Sequence, residues 1–423
     1  MKLFKCSTLF FASLMLLCSA CQSGDQGPQV MKADNLVKNL QKRLIEAQPG
    51  EQFLLPAGTF EFNRSISLVD VPNIMIKGVG KGKTTLSFKG QIEGAEGMLI
   101  KNVDGITLEG FTIADSKGDA IKVQACKNVV FRDVETTWTS GQLSTNGAYG
   151  LYPVSSTNVL MEKCEASYAM DAGIYVGQST NVVVRDNYVH HNVAGLEIEN
   201  TINGEVYNNI AKENTAGMLI FDMPDLPQAN GDRIKFYNNI MEDNNGKNFA
   251  PKGMIVSTLP PGTGMNLMSH SNIEMHHNTI KNHKTVGVLV NSWFITGKPF
   301  KSQEFDPFCT NIHIHDNIIE RGPDGNTDTS TESGQFFTAI SGGKAMDIVM
   351  DGVFKPGLPD INGNESSYCM RNNGEDIRFL NLNAHEGSEP KDILKNMDTN
   401  YAKFDCELPD FDTSEHDKWI AVK

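Results

Sequence analysis

The sequence lacks a basic excess, a membrane-length apolar run and a helical repeat, and each absence excludes a class. Lys and Arg total 37 against 51 Asp and Glu, a formal charge of -14 over 423 residues. General nucleic-acid binding needs a basic face for counterion release, so that class is set aside. The longest apolar stretch, Leu9–Leu17, is too short to span a bilayer comfortably, and the 39% hydrophobic content is too low for a polytopic membrane protein and too high for a disordered chain. Sustained i, i+4 apolar spacing is missing from the repeats, which argues against helical solenoids. What is abundant is Gly, at 38 residues, together with Asn at regular spacing, a turn-rich pattern that points to a repeat architecture.

The first 21 residues read as an export signal. Lys2 and Lys5 make the basic start, Leu9–Leu17 the apolar stretch, and Leu17-Cys18-Ser19-Ala20-Cys21 precedes the polar Gln22-Ser23-Gly24-Asp25. This box resembles the cleavage site of bacterial lipoproteins, although Leu is more usual where Cys18 stands. The resemblance implies cleavage before Cys21, acylation of its thiol and, with Gln rather than Asp at position 22, an outer-membrane anchor in a Gram-negative envelope. Cys126, Cys164, Cys309, Cys369 and Cys406 then remain, none with CxxC spacing. Export permits a disulfide, and Cys369–Cys406 is the expected pair because it would tie down the C-terminal tail. Cys126 and Cys164 sit in apolar segments and read as buried thiols.

Asp34–Gln48 has Leu36, Leu40, Leu44 and Ile45 at helical spacing and is closed by Pro49-Gly50. Beyond it, segments such as Asn128-Val129-Val130-Phe131, Asn158-Val159-Leu160-Met161 and Asn181-Val182-Val183-Val184 align without gaps. A second marker is a Gly before a short alternating strand, at Gly150, Gly173, Gly195, Gly217, Gly253 and Gly287. A third is an Asn three residues after an inward apolar residue, at Asn187, Asn209, Asn239, Asn278 and Asn317. Coils stacked about 4.8 Å apart would let these amides hydrogen-bond up the stack, and Asn192, Asn214 and Asn244 form a second such column. Long interruptions are expected at 221–231, 257–271, 292–310, 321–338 and 354–368.

The helix, the Pro-Gly stop and Pro56-Ala57-Gly58-Thr59-Phe60 resemble the cap and first coil of pectate-lyase-like right-handed parallel β-helices. Asp171-Ala172-Gly173-Ile174-Tyr175-Val176-Gly177 is similar to exported proteins with paired β-helix repeats. The expected fold is therefore an all-β, single-stranded parallel β-helix of about ten coils with an N-terminal capping helix. The expected division is a signal peptide at 1–21, a linker at 22–33, the capped β-helix at 34–385 and a C-terminal extension at 386–423.

Strand alternation predicts which side chains leave the solenoid. In the Gly-marked strands the outward residues are Lys122, Tyr152, Tyr175, Glu197, Leu219, Ile255 and Leu289, with Gln124 and Glu199 just beyond and Asp171 just before. His190 and His191 sit near the preceding turn. These positions are expected to share one long, laterally open face suited to an anionic polysaccharide. Lys122, Tyr152, Tyr175 and Glu197 are the candidate catalytic set, and Asp171, His190, His191 and Glu199 the candidate binding set. In related lyases Lys or Arg is often the base and calcium or a basic residue offsets the uronate charge. By that resemblance Lys122 neutralises the substrate carboxylate and Tyr175 carries the proton, provided a basic neighbour or cation lowers its pKa. The epimerase Asp-Pro-His box is absent, since Phe305-Asp306-Pro307-Phe308 has Phe in its last position, and the polygalacturonase Asn-x-Asp and Gly-Asp-Asp signatures lack a matching coil context. A hydrolase pairing of Glu197 and Glu199 stays open.

Trp293, Phe294, Phe305 and Phe308 either line a cleft or seal a loop. His276 and His315 align as outward neighbours, an incomplete metal site with no metal assigned; the exported β-helix protein of nitrous-oxide reductase maturation shares the fold class and raises copper handling. Calcium suits the acid excess, but Asp324–Asp328 is the nearest approach to a loop for it. Three functions remain in play: a polysaccharide lyase anchored as a monomeric envelope lipoprotein, a noncatalytic glycan-binding or surface scaffold, and a periplasmic metal-associated maturation factor.

Overall fold

Alternate positions of short strands are apolar, and those positions meet along the axis of a right-handed parallel β-helix. The structure, a computed structural model, describes residues 29–358, 367–385, 388 and 390–420. The export signal, Cys21 and most of the linker lie outside the described residues. One face is an eleven-stranded parallel sheet that includes Ile121–Gln124, Tyr149–Val154, Ala172–Gly177, Ala194–Glu199, Ala216–Phe221, Thr263–Met268 and Val286–Asn291. A nineteen-stranded sheet forms the other two faces, joined across their corner by the long strands Asp104–Ala114 and Lys127–Thr137.

Inward residues such as Leu151, Ile174, Val176, Leu196, Ile198, Met218 and Ile220 are fully buried in one continuous core. Burial of each such side chain contributes roughly 1.5–3 kcal/mol, and the contribution comes from neighbouring coils. The helix Leu36–Ile45 closes the first coil with Leu36, Leu40 and Leu44, and the Gln41 side-chain carbonyl accepts from the Ser67 backbone N–H at 2.7 Å. This covers an end that would otherwise expose core and strand edge.

Two asparagine columns hold the turns. Asn187 donates to Asn209, Asn209 to Asn239, Asn239 to Asn278 and Asn278 to Asn317, each at 2.9–3.0 Å. The column ends on Asn373, at 2.8 Å. Asn192, Asn214 and Asn244 repeat the arrangement and end against His283. The Asn that opens each strand segment has a different task. Asn128, Asn158, Asn181 and Asn203 have φ between 53° and 59°, a left-handed conformation that Asn tolerates better than most side chains.

One register expectation is corrected. Gly253-Met254-Ile255 fits the strand pattern but lies in a loop that ends in a single turn, Ile255–Thr258. The strand of that coil is Thr263–Met268, with Met265 opposite Met218 and Asn266 opposite Leu219. Gly264-Met265-Asn266-Leu267 carries the same alternation and follows the Pro260-Pro261-Gly262 break. Asn266, rather than Ile255, therefore holds the outward place, and the interruption expected at 257–271 is half strand.

Cys369 and Cys406 form a disulfide with Cα atoms 4.8 Å apart, while Cys126, Cys164 and Cys309 are buried free thiols. From Cys406 the tail passes back over successively earlier coils. Glu407 pairs with Arg371, Phe411 N–H donates to Glu274 at 2.6 Å, and Lys235 donates to Phe411 O at 3.0 Å. Thr413 and His416 reach Glu205, and Trp419 and Ile420 pack near Val130, Leu160 and Val183. No helix among the described residues is long and apolar enough to cross a membrane.

Candidate active site

Strand register stacks Lys122 against Tyr152, and Tyr175 against Glu197 and then Leu219. Two residues further along, Gly177 faces Glu199, which faces Phe221. Asp171 lies just before its strand and Tyr149 opens its own, on the same side. The outward direction expected from alternation is found; the open face is not. Tyr175 is 6% exposed, Glu197 3%, Glu199 4% and Asp171 5%. Trp293, Phe305, Val256 and Leu259 form a buried cluster with Tyr175, Leu219, Phe221 and Met268, so the loops at 245–262 and 292–309 roof this part of the sheet. The aromatic residues Trp293 and Phe305 seal rather than line. Two clefts of about 320 and 340 Å³ open elsewhere, and neither is lined by Lys122, Tyr152, Tyr175 or Glu197. Depth increases along the stack: Asp119, Lys122, Tyr149 and Tyr152 are half-buried at the mouth, and the three carboxyl groups lie inside.

The tyrosines pack on one another. Ring centroids are 4.2 Å apart for Tyr149 and Tyr175, 4.7 Å for Tyr149 and Tyr152, and 5.0 Å, edge on, for Tyr152 and Tyr175. The Lys122 ammonium lies 4.9 Å from the Tyr152 ring centre. Tyr175 has no ring face left for a sugar. Its hydroxyl faces Glu199, and the Tyr149 hydroxyl faces Asp171, each near enough to act on that carboxyl group. Gly177 makes room for the first of these approaches. A Cβ there would come within 2.7 Å of the Tyr175 ring and 3.1 Å of Glu199 Oε2.

Burial is the main force on the carboxyl groups, because a low-dielectric site disfavours the charged form. It pushes Asp171 up to about 7 against the hydrogen bond from Tyr149, and Glu199 up to about 7 against the hydrogen bond from Tyr175. Glu197 is raised well above the usual carboxylate range by burial, then by the charges of Asp171 and Glu199. At the mouth, burial raises Asp119 to about 6 despite Lys122, and its carboxylate accepts from Tyr149 N–H at 3.3 Å. Asp222, under the loop that follows Phe221, is raised well above its ordinary value by burial, against the hydrogen bond from Gly231 N–H at 2.7 Å. Burial and the same acids push Tyr149, Tyr152 and Tyr175 upward. The expectation that a neighbour lowers the Tyr175 pKa is therefore corrected: its neighbours are acids, and the phenol stays protonated.

The structure brings Asp171, Tyr175, Glu197, Glu199, Tyr152 and Lys122 together. It does not bring His190 and His191. His190 lies 3.3 Å from Glu165, which also pairs with Lys81 at 3.0 Å, and His191 lies 3.6 Å from Glu213. Tyr149 and Asp119 were missed as site residues because alternation was read only from the residues after each Gly or Ala marker. Their one signal was a polar residue directly before the marker, at the register position of Ala172, one place after Asp171.

A family described as the right handed beta helix region matches residues 96–223 and 142–296. The pre-neck appendage protein of Bacillus phage phi29 is 25% identical over 277 residues, 57% of this chain and 32% of the phage protein. The preneck appendage protein of Bacillus phage PZA matches with the same identity and coverage. The chain thus spans about a third of the length of the curated relatives it matches. Among solved structures, the mannuronan C-5 epimerase AlgE4 A-module of Azotobacter vinelandii is similar with a TM-score of 0.52 and 15% identity. The match covers 78% of this chain and 90% of that one, a likeness of fold.

Proposed function

We propose that the protein cleaves glycosidic bonds in an anionic polysaccharide that enters past Asp119, Lys122 and Tyr152 and displaces the roof loops at 245–262 and 292–309, with the buried carboxyl groups Asp171, Glu197 and Glu199 supplying acid and base. The observation that carries this reading is the coexistence on one face of three carboxyl groups raised by burial, Asp171 and Glu199 to about 7 and Glu197 well above the usual carboxylate range. One can hold a proton for the departing oxygen while a neighbour is ionised to activate water or accept the substrate proton. Protonated acids do not repel a uronate, and Lys122 at the mouth offers its carboxylate a cation. Tyr149 and Tyr175, held protonated, orient the carboxyl groups by donating to them. The AlgE4 module is named for action on mannuronan; that substrate is carried here only as the class of anionic polysaccharides.

Hydrolysis is favoured over elimination through a tyrosinate, because the acids around Tyr152 and Tyr175 hold their protons on. Elimination with a carboxylate as base is the second reading, favoured by the place of Lys122 beside Tyr152. The test incubates the protein, without its signal, with alginate, pectate and glycosaminoglycans, with and without calcium. Reducing ends and the absorbance of unsaturated ends are recorded, and binding is followed by calorimetry. Reducing ends without absorbance support hydrolysis, and absorbance supports elimination. Binding without product supports the scaffold alternative, and neither binding nor product overturns the proposal.

For location we propose export, acylation of Cys21 and outer-membrane anchoring, on the sequence of the 1–25 segment. The same proposal keeps 22–33 as linker, 34–385 as the capped β-helix and 386–423 as a C-terminal extension.

A further inference from the structure

Away from the carboxyl cluster, three imidazoles crowd one strip of the nineteen-stranded sheet. His313 and His315 leave the strand Thr310–His315 on the same side, with ring centroids 4.0 Å apart. His276, opposite His315 on the preceding coil, stacks on it at 5.2 Å. Crowded imidazoles normally settle their nitrogens on hydrogen-bond partners; here Nδ1 of His276 meets His277 and Nδ1 of His315 meets Asp316, and the other four nitrogens are left over. Both ring nitrogens of His313, and Nε2 of His276 and of His315, are buried without a partner. Glu274 Oε1 is 3.5 Å from His276 Nε2 and 3.7 Å from His315 Nε2, beyond a good hydrogen bond.

The tautomer of His315 is fixed from its other side. Its Nδ1 lies 2.7 Å from the Asp316 carboxylate. A proton on Nδ1 donated to that carboxylate leaves a lone pair on Nε2, the carboxylate–histidine arrangement that orients metal ligands. The remaining donor comes from the tail. Cys369 lies opposite His313 on the next coil, and its disulfide to Cys406 starts the tail directly above this strip. Phe411 N–H, held by Glu274, then fixes the residue before it, Asp410. One ligand atom from each of His313, His315 and Asp410 lies within 4.8 Å of the others.

We propose that His313, His315 and Asp410 bind a divalent transition-metal cation, which staples the C-terminal tail to the solenoid. Two imidazoles and one carboxylate suit zinc, nickel or copper rather than calcium or magnesium, and three protein ligands leave a further position for water or Glu274. The pattern was half visible in the sequence, where His276 and His315 align; His313 aligned with Glu274 and gave no sign of a third ligand.

The test uses the full chain without its signal, stripped with a chelator and titrated calorimetrically with Zn²⁺, with Ni²⁺, Cu²⁺ and Ca²⁺ as separate arms. One equivalent of a transition metal is expected, and none of calcium. His313→Ala and Asp410→Asn should each weaken binding roughly 10-fold or more, while His190→Ala, at the histidine pair on another strip, leaves it unchanged. Zn²⁺ should also slow hydrogen exchange of residues 407–420 in the unsubstituted protein and not in Asp410→Asn. Asp410 is exposed, so that variant keeps the test valid if His313→Ala fails to fold. Absence of stoichiometric transition-metal binding, or binding indifferent to both substitutions, would overturn the proposal.

Discussion

Tyr175 stands opposite Glu197 in the strand register, yet the carboxyl group its hydroxyl acts on is that of Glu199, two residues further along the neighbouring strand. That diagonal approach lowers the pKa of Glu199 against the rise imposed by burial. Tyr175→Phe removes it, so Glu199 should hold its proton to higher pH. The acidic limb of the pH–rate profile is expected to move toward alkaline pH if ionised Glu199 is the base, with kcat lowered roughly 10²-fold. Gly177→Ala should do similar harm by a different route, since its Cβ would meet the Tyr175 ring at 2.7 Å. Both variants should retain the wild-type circular dichroism spectrum.

The carboxyl cluster sets a pH dependence of stability. Asp171 rises from 3.8 to about 7, and Glu199 from 4.5 to about 7, so the folded state binds protons that the unfolded state has released. Their contribution is complete below about pH 4 and is lost as pH rises to about 7. Glu165 works in the opposite sense. Its hydrogen bond from His190 holds it down to about 2, so its contribution is lost as pH falls below about 4. The buried histidines His270, His276, His283 and His313, held down to about 3–4 by burial, oppose the cluster by losing stability as pH falls below about 6.5, so the cluster's share is read as a difference between variants. Asp171→Asn should flatten the decline toward neutrality by about 1–3 kcal/mol, read from denaturation at pH 5 and pH 7.5.

Asn209 tests the amide column. Its side chain donates to Val184 O and Asn239 Oδ1, and accepts from Asn187 N–H at 3.1 Å and Asn187 Nδ2 at 2.9 Å. Asn209→Leu strips several buried polar groups of a partner, at about 1–3 kcal/mol each. Urea denaturation should register a loss of at least about 3 kcal/mol, and hydrogen exchange should place the damage in the adjoining coils.

Cys21→Ser addresses the anchor. Two or three acyl chains hold a protein stably on a bilayer, so the variant should leave the membrane fraction or accumulate as uncleaved precursor. Unchanged mature mass together with unchanged membrane retention would remove the lipoprotein reading.

The coil was legible because its rules are local and repeated. Asn209 and its counterparts each follow an inward apolar residue by three positions, and Leu151, Ile174 and Leu196 alternate with outward residues. The roof was not legible. Trp293, Phe305 and Leu259 lie in loops without a period, and nothing in their spacing says which coil they cover. Trp293 and Phe305 were legible as residues that line or seal, but not as a roof over the Tyr175 strand, and a buried cluster was therefore expected as an open groove. The same gap put Gly253 in a strand that belongs to Gly264. Tail residues such as Asp410 were equally silent, because the residues they meet, His313 and His315, lie on a distant strand with no spacing rule linking them to the tail.

The central claim is that buried carboxyl groups carry out the chemistry on a glycan. The most direct measurement is the rate of new reducing or unsaturated ends from the substrate found in the glycan panel, at pH 6, for the unsubstituted protein, Asp171→Asn and Glu199→Gln. Loss of one acid–base group should lower kcat by about 10²–10⁴-fold in each variant, with glycan affinity within a few-fold of the original. Rates unchanged in both variants would contradict the account.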